Sequence, residues 1–240
     1  MGRFEHRVAI VTGAGGAIGG AIAARLEVEG AKLALGDLGP LTWKGALTVQ
    51  GDLSAPASAN ELIHATLAEY GRIDVLVNNA GGGIIRPTLE HTGETLKTTL
   101  DRNLLTALHT TIAALPHMRA AGYGRIVFVG ADSVRNGLDR HAVYNAAKGG
   151  VHAFARGLAR EFAHDGITAN TVAPSATATP ELAAILEQQP EVGEAFVRVI
   201  PVGRPATLEE VASAVAYLAA EESGFITGQV LSVNGGANMG

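Results

Sequence analysis

Seven short apolar runs, four to six residues each, punctuate this chain, and most are separated by longer segments of helical period. The runs are Arg7 to Thr12, Lys32 to Gly36, Ala46 to Gln50, Val75 to Asn78, Arg125 to Gly130, Thr168 to Ala173 and Val230 to Val233. They are continuous rather than alternating, which suits strands buried on both faces, as in a parallel sheet covered by helices. Helices are expected over Ala17 to Glu29, Ala57 to Tyr70, Gly93 to Ala121 with an interruption, Ala142 to Ala163 and Leu208 to Ala220. Repeated strand–helix–strand units of this kind predict a doubly wound α/β fold. The segment from Asp37 to Lys44 is too short, and too rich in Gly and Pro, for a crossover helix. Ser175 to Ile200 is the least regular stretch and is expected to form a substrate lid with short helices, at about 175–200. No linker or internal repeat interrupts the pattern, so residues 1–240 are expected to form a single domain.

A hydrophobic content of 47% over 240 residues suffices for a large core. Charged residues are only 17% and the formal net charge is -5, so no basic field invites nucleic acid or an anionic membrane. Small molecules or copies of the same chain are the expected partners. The absence of cysteine excludes disulfides, thiol nucleophiles and thiolate-bound zinc, and the eight histidines are too scattered to suggest a metal site. Arg3 and Arg7 before the apolar run Val8 to Ala24 imitate a secretory signal, but five glycines between Gly13 and Gly20 break that run. A cytoplasmic protein is expected.

The first apolar run opens into Thr12-Gly13-Ala14-Gly15-Gly16-Ala17-Ile18-Gly19, a glycine-rich turn leading into a helix. Backbone amides and the helix dipole at such a place can hold a pyrophosphate. Asp37, followed by Leu38, ends the second run, where a carboxylate reaches adenosine ribose hydroxyls and repels a 2′-phosphate. Neither the glycine turn nor the positions just after Asp37 carry an arginine or lysine, so NAD is the expected cofactor rather than NADP.

Further motifs follow in order: Asp52-Leu53 after the third run, Asn78-Asn79-Ala80-Gly81 after the fourth, Asn103 within a helix, and Tyr144-Asn145-Ala146-Ala147-Lys148. With the glycine turn they resemble the classical short-chain dehydrogenases/reductases over nearly the whole chain, from Val8 to Gly236. The resemblance implies a Rossmann-type domain with a seven-stranded, mostly parallel sheet. It implies that Asp52 and Leu53 lie against the adenine, that Asn78, Asn79, Ala80 and Gly81 stabilise the central strand and border the nicotinamide, and that Asn103 keeps a proton-relay water near Lys148. Pro174 and Ser175 stand where the family has Pro-Gly, and the nicotinamide amide is expected near Ala176 with Thr177 or Thr179.

Residues four apart share one helix face, so Lys148 can stand beside Tyr144. An unperturbed tyrosine, with a pKa of about 10, is a poor base, and the Lys148 ammonium together with an oxidised nicotinamide is expected to lower that value. Tyr144 then serves as general acid/base for an alcohol and its ketone, and Lys148 also holds the nicotinamide ribose. One position breaks the pattern. The family serine stands thirteen residues before the tyrosine, and counting back from Tyr144 gives Ala131. Ser133 is one substitute; Asn136, His141 or a substrate hydroxyl is another; weak or lost activity, in a nucleotide-binding partner subunit of a related chain, is the third.

Ile84, Val134, Leu138, Leu182 and Ile185 suggest a pocket for a hydrophobic, cyclic or aromatic secondary alcohol or ketone. Arg86, Arg135 and Arg140 leave an anionic tail open. The resemblance further implies a homotetramer, or a hetero-oligomer with a related chain.

Overall fold

A computed structural model describes residues 2–188, 191, 194 and 197–239, so part of the expected lid, at 189, 190, 192, 193, 195 and 196, lies outside the described residues. The first strand, β1 (Val8–Thr12), is buried at all five positions, and β4 (Val75–Asn78) at all four. The remaining strands are β2 (Lys32–Asp37), β3 (Leu47–Gln50), β5 (Gly124–Val129), β6 (Ile167–Pro174) and β7 (Val230–Val233). They form one sheet in the order β3-β2-β1-β4-β5-β6-β7, and every pairing is parallel rather than most of them. Chain progress runs outward on one side of β1 and outward on the other from β4, so a crevice opens at their carboxyl ends, where the helices diverge.

Helices α1 (Ala17–Val28) and α8 (Leu208–Ala219) cover one face, and α2 (Pro56–Tyr70), α4 (Thr106–Ala121) and α6 (Ala142–Phe162) the other. Period-two alternation feeds both layers. Ala9 and Val11 of β1 pack with Ile22 and Leu26 of α1. Ile10, between them, packs with Leu62, Ile63, Met118 and Phe128. Each such large side chain contributes roughly 1.5–3 kcal/mol by leaving water.

No helix joins β2 to β3, as the Gly- and Pro-containing segment required. The interruption expected within Gly93 to Ala121 is a single π-helical turn, Asp101–Leu105, between α3 (Gly93–Leu100) and α4. This turn carries the buried Asn103. A four-residue helix, α5 (Ser133–Asn136), follows β5, and α7 (Pro180–Gln188) lies in the lid segment.

Candidate active site

The turn after β1 is shaped by what its glycines lack. Gly13 has φ of 66°, and a Cβ there would come within 2.7 Å of the Ala80 Cα. A Cβ on Gly15 would lie 3.1 Å from Asp37 Oδ2, and one on Gly19 only 2.1 Å from the Gly13 carbonyl oxygen. Helix α1 has Gly16 at its N-cap, with no side-chain cap and no acidic residue in its first turn, which leaves its leading amides for a ligand. The turn is clasped to β4: Asn79 Nδ2 donates to the carbonyls of Thr12 (3.0 Å) and Gly13 (3.1 Å), while Thr12 Oγ1 accepts the amides of Asn79 and Ala80 (3.1 and 3.0 Å).

These residues floor a cleft of about 690 Å³ that also takes in Asp37, Gly81, Tyr144 and Lys148. Pro174, Ser175, Thr177 and Thr179 close its far end, together with Glu181, which the sequence did not single out. Asp37 accepts from the amides of Gly15 and Gly39, both at 2.9 Å. A second cavity of about 320 Å³ continues from Asp37 past Leu38, Asp52, Leu53 and Ala80. The Ser54 hydroxyl and amide hold the Asp52 carboxyl below its usual range. An uncapped helix start, a carboxylate at the next strand end and a continuous cleft reaching Tyr144 together suit a dinucleotide. The glycine turn and the positions just after Asp37 carry no arginine or lysine, but Arg102, exposed on the π turn, lines the second cavity from a distant part of the chain.

Lys148 and Asn103 meet at Gly81, and the Tyr144 ring stands against Gly83. Lys148 Nζ donates to the Val129 carbonyl (2.9 Å) and lies 6.0 Å from the centre of the Tyr144 ring. A Cβ on Gly81 would sit 2.8 Å from Asn103 Oδ1 and 3.2 Å from Lys148 Nζ, so only glycine lets the two side chains share this spot. Asn103 is fixed there by Gly82, whose amide it accepts and whose carbonyl it bonds, and by the Thr99 carbonyl. Burial pushes Lys148 down to about 8 and Tyr144 up to about 12. The expected lowering of the tyrosine is therefore not achieved by the protein alone, because desolvation raises it.

Ala131 lines both this cleft and a neighbouring cavity of about 310 Å³, whereas Ser133 lines only the cavity. The Ser133 hydroxyl donates to Asn145 Oδ1 at 2.6 Å. Leu138, Leu182 and Ile185 face this cavity as expected, but Ile84 and Val134 do not; Ile85 and Val199 do. Asn136, His141 and Glu181 give it a polar side. Arg86, Arg135 and Arg140 are absent from its lining. Behind Ala131, the buried His152 accepts the Ala131 amide at 3.4 Å, and burial, with Arg156, Lys148 and Arg135 nearby, lowers it to about 4.

A family model described as enoyl-(acyl carrier protein) reductase matches residues 13–238. The chain is 50% identical to 2,3-dihydroxy-2,3-dihydro-p-cumate dehydrogenase of Pseudomonas putida, covering 98% of this chain and 96% of that protein. It is 38% identical to 1,6-dihydroxycyclohexa-2,4-diene-1-carboxylate dehydrogenase of Acinetobacter baylyi, covering 98% and 97% respectively. A solved structure of levodione reductase superposes with a TM-score of 0.90 at 30% identity, over 97% of this chain and 98% of that one.

Proposed function

The chain belongs to the short-chain dehydrogenase/reductase family, and on that premise we propose that it is an NAD-dependent dehydrogenase interconverting a cyclic, mainly apolar secondary alcohol and its ketone. The favoured alcohol is one hydroxyl of a ring dihydrodiol, as the names of two relatives suggest. The observation that carries this reading is that Tyr144 lines both the dinucleotide cleft and the apolar cavity. A substrate in the cavity and a nicotinamide in the cleft therefore meet at its hydroxyl.

Gly13, Gly15, Gly16, Ala17, Ile18 and Gly19 hold the pyrophosphate, Asp37 the adenosine ribose, Asp52 and Leu53 the adenine side, and Lys148 the nicotinamide ribose. When bound, the nicotinamide supplies a hydride acceptor and, oxidised, a positive charge beside Tyr144. As phenolate, Tyr144 takes the alcohol proton; as phenol, it returns a proton to the carbonyl oxygen in reduction. Lys148, fixed by Val129, stabilises that phenolate, and Asn103 orders the surroundings of the ammonium through Gly82. Asp37 favours NAD because its carboxylate, held by the Gly15 amide, would bond the ribose hydroxyls and repel a 2′-phosphate.

An exposed apolar groove of about 850 Å³ between α4 and α6, including Ile112, Phe154 and Phe162, supports assembly as a homotetramer. No helix among the described residues is long and apolar enough to cross a membrane.

One observation favours a second reading. Ala131 at the junction lacks the family's hydroxyl, so the chain is alternatively a nucleotide-binding partner subunit with little activity of its own. The test is NADH formation at 340 nm with cyclic alcohols and dihydrodiols, using Tyr144→Phe as control. Turnover abolished by that change supports the dehydrogenase; tight NAD binding with no turnover on any alcohol refutes it and supports the partner subunit.

A further inference from the structure

The reacting carbon must lie where the dinucleotide cleft and the substrate cavity share their walls. Of the side chains on that shared wall, Ala131 and Pro174 carry no hydrogen-bond donor, and an ionised Glu181 only accepts. Thr177 Oγ1 donates to the Ser175 carbonyl (3.2 Å), and Thr179 Oγ1 accepts the Leu182 amide (3.3 Å) at the start of α7. Three hydroxyls keep a proton to give, those of Tyr144, Ser175 and Thr179, and Thr179 is tied to the start of α7 as an acceptor.

Ser175 Oγ is buried and has no hydrogen-bond partner. Leaving such a group unpaired costs roughly 1–3 kcal/mol, which a ligand oxygen can recover. Its backbone is fixed: the Ser175 amide donates to the Val233 carbonyl (3.1 Å), and the preceding Pro174 carbonyl accepts the Asp132 amide (2.9 Å). That last bond sets the residue after Ala131 beside the residue before Ser175, so the alanine and the unpartnered hydroxyl sit on adjoining strand ends. Ser133 differs on both counts, since it lies off the shared wall and its proton is already given to Asn145.

We propose that Ser175 is a catalytic residue: its hydroxyl donates a hydrogen bond to the oxygen of the reacting alcohol or ketone, replacing the hydroxyl absent at Ala131. The proposal rests on the dehydrogenase reading and alters none of its balance. The alcohol proton still passes to Tyr144, the carbinol hydride to the nicotinamide, and Ser175 keeps its own proton.

The experiment compares kcat and KM for NAD reduction by the cis-dihydrodiol of benzene in the parent, Ser175→Ala, Ser133→Ala, the double variant Ala131→Ser/Ser175→Ala, and Tyr144→Phe. NAD binding is measured by calorimetry, and binding of trifluoroethanol to the NAD complex gives a readout without turnover. Loss of one such donor is expected to lower kcat on the order of 10²-fold. Ser175→Ala should therefore lose about that much, bind NAD within a few-fold of the parent and bind trifluoroethanol more weakly. A serine at 131 should restore most of the loss. Ser175→Ala with kcat within twofold of the parent overturns the assignment, as does a double variant that recovers nothing. If Ser133→Ala alone produces the loss, Ser133 is the donor and the proposal is wrong. Turnover surviving in Tyr144→Phe defeats the dehydrogenase reading itself, a result distinct from failure at Ser175.

Discussion

Replacing Lys148 by methionine should remove the pH dependence that this lysine imposes on the stability of the protein without coenzyme. Burial lowers its folded-state pKa from 10.5 to about 8. Below pH 8 both folded and unfolded chains carry the proton, and the folded state bears the whole penalty of a desolvated ammonium. Between about 8 and 10.5 the unfolded chain holds a proton that the folded chain has lost, so stability rises with pH. A difference of about 2.5 units at 1.36 kcal/mol each amounts to about 3 kcal/mol. Against this, methionine abandons the bond to the Val129 carbonyl, worth roughly 1 kcal/mol. The variant should therefore be more stable than the parent by about 2 kcal/mol at pH 7, and less stable by about 1 kcal/mol at pH 10.5. Urea midpoints of both proteins at half-unit steps from pH 6.5 to 10.5 measure the difference directly. Tyr144, pushed up to about 12, lowers stability only as pH rises above 10, and equally in both proteins. A difference that stays flat across the range would show that Lys148 is not held as a disfavoured cation.

Asp37→Ala should raise the KM for NAD by about 10-fold or more, because the Gly15 and Gly39 amides also lose their acceptor. With Arg102 lining the same cavity, NADP use should increase in that variant, read as the ratio of kcat/KM for the two coenzymes; an unchanged ratio would show that Asp37 does not select the coenzyme. Gly130→Ala should destabilise by about 1–3 kcal/mol, since its Cβ would fall 2.2 Å from His152 Nε2 and 2.6 Å from the Thr171 methyl. Thermal unfolding checks this, and a midpoint within a degree of the parent would contradict that packing.

The sheet was legible because strands buried on both faces leave apolar runs, and because a glycine turn ending in a distant acid has few other uses. Tyr144 and Lys148 were legible because helical spacing alone puts them side by side. Other features depend on tertiary approach. Arg102 reaches the second cavity only because the π turn presents it there. Ile85 rather than Ile84 faces the substrate cavity because the side on which a loop residue points follows no period. The upward displacement of Tyr144 reflects burial by residues from several elements, which no local pattern records. The unpaired Ser175 hydroxyl could have been suspected from serine standing where the family has glycine, but its lack of a partner is a property of the folded molecule.

The clasp between Thr12 and Asn79 bears on the timing of coenzyme exchange. The turn's carbonyls and the neighbouring amides are already bonded across β1 and β4, which preorganises the rim for its ligand. Coenzyme arrival should then follow a single second-order phase governed by diffusion and orientation. Any slow step in its exchange would originate across the cleft, beyond Pro174.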